Sequence, residues 1–122
     1  MLDVSSNGII NLNRGDAFSL DVTINIGTII EPIIYLMKNK DKLYFALMEP
    51  NEPFEQALMR RMFTEADQDS SGNVLMKFPA EQTEYIMPGT YYYTVKLVRQ
   101  DTDEDEPLVD TIIPKTKFVI IE

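Results

Sequence analysis

The chain has 122 residues, with 11 Lys and Arg against 20 Asp and Glu, no His and no Cys, for a formal net charge of −9. That balance opposes a phosphate backbone, so nucleic acid is not an expected partner; lacking Cys and His, the chain has no disulfide framework and lacks the commonest metal ligand and general base. No apolar run nears the ~20 residues of a membrane-spanning helix, residues 1–14 lack a signal-peptide pattern, and the length predicts a single domain over 1–122.

Residues 8–13 read as a short extended segment, closed by a turn at Asn13, Arg14, Gly15 and Asp16. Residues 18–26 alternate cleanly. Phe18, Leu20, Val22, Ile24 and Ile26 point one way and Ser19, Asp21, Thr23 and Asn25 the other, which predicts a strand with one buried and one wet face. Gly27 breaks that run. Residues 28–37 are apolar and β-branched but contain Pro32, which lacks the N–H a ladder needs, so they read as an edge strand or an extended loop. A polar turn at 38–41 leads to a strand over 43–48. Asn51 is placed as the cap of a helix of one or two turns with Pro53 in its first turn. A strand over 59–64 should follow, with a helix continuing to Met62 as the rival reading.

A polar loop over 66–73 precedes a strand at 73–78, and Pro79 with its following acids predicts one helical turn over 79–84. Pro88 and Gly89 then open a strongly β-prone run, read as a central strand. Tyr91, Tyr93, Val95 and Leu97 share one face; Tyr92, Thr94, Lys96 and Val98 share the other. Tyr91 stands where sandwich folds hold a tyrosine whose hydroxyl bonds back to the corner backbone. An acidic loop over 99–107 leads to two closing strands, 108–113 and 117–121, separated by Pro114, Lys115 and Thr116. Short strands, frequent turns and no long helix predict an all-β fold: an immunoglobulin-like antiparallel β-sandwich of about seven strands with one or two short helical turns.

Several motifs carry a functional and a plain reading. Arg14-Gly15-Asp16 spells an integrin-binding tripeptide but also makes an ordinary glycine turn. Asp67, Asp69 and Ser71 match the first half of a calcium loop and form a weak metal candidate; Phe78 stands at the position where a closing carboxylate belongs. Asp101, Asp103, Glu104, Asp105 and Glu106 form an acidic run that reads as a solvated hairpin tip, a weak cation site or a docking patch for a basic partner. Tyr92 is the tyrosine placed away from the core, a contact or glycan-stacking residue. Met59, Arg60, Arg61 and Met62 pair the two residue types enriched at interfaces and are read, with Tyr92, as part of a protein contact. No nucleophile–base set or phosphate-cradling glycine loop is present, so neither catalysis nor a cofactor is expected.

The order of these features carries a resemblance. The Arg-Gly-Asp turn at 14–16, the alternating strand from Phe18, the Glu52-Pro53-Phe54 bend, the Pro79-to-Thr83 turn and Gly89-Thr90-Tyr91-Tyr92-Tyr93 occur in sequence, closed by Lys117-Phe118-Val119-Ile120. This looks like the small immunoglobulin-like domains of tailed bacteriophages and is similar to the N-terminal part of upper baseplate proteins. Gln82 and Thr94 depart from that pattern, which usually has acids there, and Lys40 replaces a turn glycine. The resemblance implies a non-enzymatic structural protein of the virion (tail, baseplate, neck or capsid surface), assembled in the host cytoplasm. Its partners would be other virion proteins in a symmetric, multi-copy assembly. A host-attachment or glycan-binding module and a calcium-stabilised binding domain are the alternatives.

Overall fold

A computed structural model describes residues 2–4 (backbone), 8–25, 27–28, 30–99 and 108–122. Ile26, the acidic residues Asp101, Asp103, Glu104, Asp105 and Glu106, and Met1, Ser5 and Ser6 lie outside the described residues.

The fold is all-β. Its strands are β1 (Leu2–Val4), β2 (Ile10–Asn13), β3 (Phe18–Thr23), β4 (Lys42–Met48), β5 (Met59–Phe63), β6 (Asn73–Phe78), β7 (Gly89–Arg99) and β8 (Leu108–Ile121). They form a six-stranded sheet ordered β1-β2-β8-β7-β4-β5 and a two-stranded sheet of β3 and β6. The expectation of a wholly antiparallel arrangement is corrected: β2 runs parallel to β8, with Ile10 opposite Phe118 and Leu12 opposite Ile120, so the larger sheet is mixed. Among the described residues no helix is long and apolar enough to cross a membrane.

The alternation read in the sequence sets the core. Phe18 and Val22 on β3, and Val74, Met76 and Phe78 on β6, are buried against Leu43, Phe45 and Leu47 of β4, Tyr93, Val95 and Leu97 of β7, and Phe118 and Ile120 of β8. Rings bridge the two sheets. Phe78 stacks on Phe18 at 4.4 Å between centroids and tilts against Phe45 at 4.6 Å, and Phe118 meets Phe18 edge-on at 5.3 Å. Offset and edge-on pairs of this kind add about 0.5–1.5 kcal/mol each beyond the area they bury.

The residues opening β7 fulfil their reading. Tyr91 and Tyr93 are buried on the core side, and the Tyr91 hydroxyl donates to the Met87 carbonyl at 2.6 Å, bracing the corner that leads into the strand. The helical turn expected over 79–84 appears as α1 (Ala80–Thr83).

Two open readings are resolved and two expectations differ. Residues 30–37 take the extended-loop reading: an isolated bridge joins Asn25 and Ile34, the Tyr35 N–H donates to the Ile24 carbonyl at 2.9 Å, and Met37 is buried in the core. Side chains hold this loop in place of a ladder: Asn25 Oδ1 accepts from Gly27 and Ile33 N–H, and Gln68 contacts Tyr35, Met37 and Gly72 backbone. The helix near Pro53 is a single 3₁₀ turn, Phe54–Gln56, with no side-chain cap; Asn51 instead takes a left-handed turn conformation at φ 71°. The rival helix to Met62 is replaced by β5. The two closing strands are one strand, β8, whose register against β7 slips twice between Tyr93 and Lys96. The bulges accommodate Pro114, which has no N–H to place in the ladder, and Thr94, buried in β7, donates to the Ile113 carbonyl at 2.7 Å beside them.

Candidate functional site

β5 lies at one edge of the six-stranded sheet, paired among the described residues with β4 alone. Its residues divide by parity. Met59, Arg61 and Phe63 stand opposite Leu47, Phe45 and Leu43 and turn toward the core; Arg60 and Met62 stand opposite Ala46 and Tyr44 and turn outward. The four residues grouped in the sequence therefore do different things.

Arg61 closes the open end of the core. Its guanidinium lies 5.5 Å from the Phe63 ring centre and 5.4 Å from that of Phe78, and Nη1 donates to Gln82 Oε1 at 3.0 Å and to the Lys77 carbonyl at 3.3 Å. Arg61 thus ties the edge strand to β6 and α1. Met59 is half-buried beside it. Arg60 and Met62 are exposed, Met62 by 50%.

Between this edge and the corner after α1 lies an open cleft of about 610 Å³, lined in part by Leu58, Met59, Arg60, Tyr85 and Met87. Its rim carries exposed apolar side chains among charged ones (Glu49, Arg60 and Glu81). Tyr85 is 81% exposed, Met87 72% and Leu58 48%. The helical turn and the Tyr91–Met87 bond fix the corner that presents Tyr85 and Met87. Neither of these two residues stands out in the sequence as an interface residue. The only signal is position, since both lie in a turn where an apolar side chain has no strand to cover it.

Tyr92 is half-buried on the outer face of the larger sheet, opposite Met48 and Lys117, away from the cleft. Arg60, Met62 and Tyr92 share that outer face, and the cleft adjoins only Arg60 of the three. The same face carries a compact cluster. Phe54 folds over it and meets Tyr44 edge-on at 6.1 Å, with Arg60 over both rings at 5.0 Å and Lys96 over Phe54 at 4.9 Å.

The remaining motifs are engaged locally. Asp67 completes a capping box with Thr64, and Asp69 Oδ1 accepts from the Ser71 and Asn73 amides at 2.9 Å. Among the described residues no group of three or more Asp, Glu, His or Cys is placed to hold a metal. The Arg14-Gly15-Asp16 turn is tied down: Arg14 Nε donates to the Glu84 carbonyl at 3.0 Å, and the Thr83 hydroxyl donates to the Asp16 carbonyl at 2.9 Å. Burial raises the Tyr93 phenol above its ordinary value of 10.0, and its hydroxyl donates to the Gly8 carbonyl at 2.6 Å.

Comparisons with protein-family models, curated proteins and solved structures gave no match to this chain.

Proposed function

We propose that this chain is a non-enzymatic structural module of a tailed-phage virion, an immunoglobulin-like sandwich that works by docking to other proteins in a multi-copy assembly. The strand arrangement supports the finer fold reading: β4, β7 and β8 lie side by side with β3 and β6 opposite, as strands C, F and G face B and E in that architecture, and Tyr91 takes the position of its corner tyrosine.

The observation that carries the assembly reading is the free β5 edge beside exposed Leu58, Tyr85 and Met87. An open strand edge is a template for pairing with another chain, and contiguous exposed apolar surface marks contact sites. A second apolar patch supports it: Ile30, Ile33, Ile34 and Leu36 of the 28–37 loop are exposed at 91%, 56%, 45% and 54%. Two unlike patches suit a head-to-tail contact, which closes into a ring when the rotation permits. The virion itself is suggested by the order of motifs from the Arg14–Asp16 turn to the Tyr91–Tyr93 run.

Quantitative mass spectrometry of purified particles from the source tests this reading. A copy number near that of the capsid protein indicates a surface lattice, and a small ring-like number indicates neck, tail or baseplate. Absence from particles refutes the virion assignment.

A further inference from the structure

We infer that the outer face of the larger sheet, at Arg60 and Lys96, receives an acidic extended segment of a partner protein. Register places Lys96 beside Tyr44 and Thr111, and Met62 on the other side of Tyr44. The turn Phe54–Gln56 lays the Phe54 ring over this floor. A cavity of about 390 Å³ lies among Tyr44, Phe54, Arg60 and Lys96, walled by Val98 and Val109.

Two cations share one ring. Arg60 lies 5.0 Å from the centre of Phe54 and Lys96 lies 4.9 Å from it. The negative face of a ring attracts each cation, but the two charges repel each other, and among the described residues neither forms a hydrogen bond or ion pair. Four other cations of the chain are engaged: Arg14 with the Glu84 carbonyl, Arg61 with Gln82, Arg99 with Asp110 at 2.8 Å, and Lys115 with the Glu52 carbonyl. Carboxylates brought onto this face would offset that repulsion and could each take a charge-assisted hydrogen bond from Arg60 or Lys96.

The face extends this preference. Lys42 stands opposite Val98, and Lys117 opposite Tyr92, on the same side of the sheet. A chain with a net charge of −9 thus presents a locally basic surface with aromatic and aliphatic flooring. The overall charge repels nucleic acid and anionic membranes at long range, whereas a short acidic segment meets mainly the local field, because charges beyond about 8–10 Å are screened. Val98 and Val109 favour a segment that mixes aliphatic side chains with its acids. Glu55 lines the same cavity and opposes the incoming charge, which gives the site a built-in control. This inference rests on the assembly reading only in taking the occupant to be a protein; its surface meets the cleft at Tyr85 and Met87 only through Arg60.

The test is an NMR titration of the full chain, labelled with nitrogen-15, with a short peptide alternating Glu and Leu. The control is the same peptide with Gln for Glu. The expected result is amide shifts centred on Tyr44, Arg60 and Lys96 with the Glu peptide only. Affinity should fall at least tenfold in Lys96→Glu and in Arg60→Glu, fall again between 50 and 500 mM salt, and rise in Glu55→Gln. Equal shifts with both peptides, or shifts that ignore Lys96→Glu in a variant whose spectrum shows it folded, overturn the inference. A low-salt dimer of the wild-type chain that Lys96→Glu abolishes also overturns it, by making a second copy the occupant. Variants at Leu58 and Met87 should leave the peptide titration unchanged, so a failure here is distinguishable from a failure of the cleft reading.

Discussion

The Tyr91 hydroxyl reaches back four residues to the Met87 carbonyl at 2.6 Å, so that the side chain opening β7 braces the corner that precedes it. Tyr91 is buried on the core side while Met87 is exposed. The bond therefore links the core to the apolar rim of the cleft. Tyr91→Phe removes the bond and keeps the ring. It should lower stability by about 0.5–1.5 kcal/mol, seen as a lower urea midpoint with an unchanged slope. An unaltered midpoint would mean that the corner holds its shape without the hydroxyl.

Phe78 touches rings from β3, β4 and β5 and carries Arg61 over its face. Phe78→Ala should cost about 3–5 kcal/mol, as large-to-small changes of buried aromatics do. Chemical denaturation checks the value, and a loss under 1 kcal/mol would contradict the packing described.

Gly15 and Gly27 make opposite demands. Gly15 has φ +84° with open space around it, whereas a Cβ on Gly27 would lie 2.3 Å from the Glu31 carbonyl oxygen and 2.7 Å from the Ile33 nitrogen. Gly15→Ala should cost about 1–2 kcal/mol of left-handed strain, and Gly15→Asn should recover much of it because Asn tolerates that conformation. At Gly27 the obstacle is backbone, so Asn should do no better than Ala. Thermal unfolding of the four variants separates strain from collision.

Tyr93 gives the fold an alkaline limit. Burial raises its folded pKa above 10.0, so the unfolded chain releases the proton first. Its contribution to stability is whole below about pH 10 and is lost as pH rises through the folded value. Denaturant midpoints measured across that range should fall less in Tyr93→Phe than in the wild type. Parallel curves for the two proteins would refute the assignment.

Calcium should leave the melting temperature unchanged, because Asp67 and Asp69 already accept backbone N–H groups. A ligand that binds only the folded state must raise it. A rise that grows with calcium chloride concentration would revive the metal reading of Asp67, Asp69 and Ser71.

What the sequence discloses is governed by distance along the chain. Phe18, Leu20 and Val22 alternate within one strand, and Tyr91 follows its Pro-Gly corner at once, so local pattern suffices for both. Arg61 reads as a surface charge, yet its long side chain lies over Phe63 and Phe78 and caps the core. Nothing near Arg61 in the chain announces Phe78 or Gln82. The 28–37 loop depends on Gln68, over thirty residues away from Met37. Pro114 looks like a strand end because its tolerance depends on bulges facing Thr94. The outer cluster is hidden for the same reason, since Tyr44, Phe54, Arg60 and Lys96 meet only when three strands and a turn are assembled.

The parallel seam between β2 and β8 also bears on how the chain matures during synthesis. Ile10 pairs with Phe118 and Leu12 with Ile120, so β2 cannot take its place beside β8 until most of the domain has been made. β7 likewise lacks one neighbour until β8 has left the ribosome. Contacts this far apart slow folding, and the nascent chain carries open strand edges and bare core faces throughout elongation, when it is most exposed to off-pathway association. Closure of the sheet is therefore expected only once β8 has emerged, with temporary shielding of the half-built sheet setting the yield of usable protein.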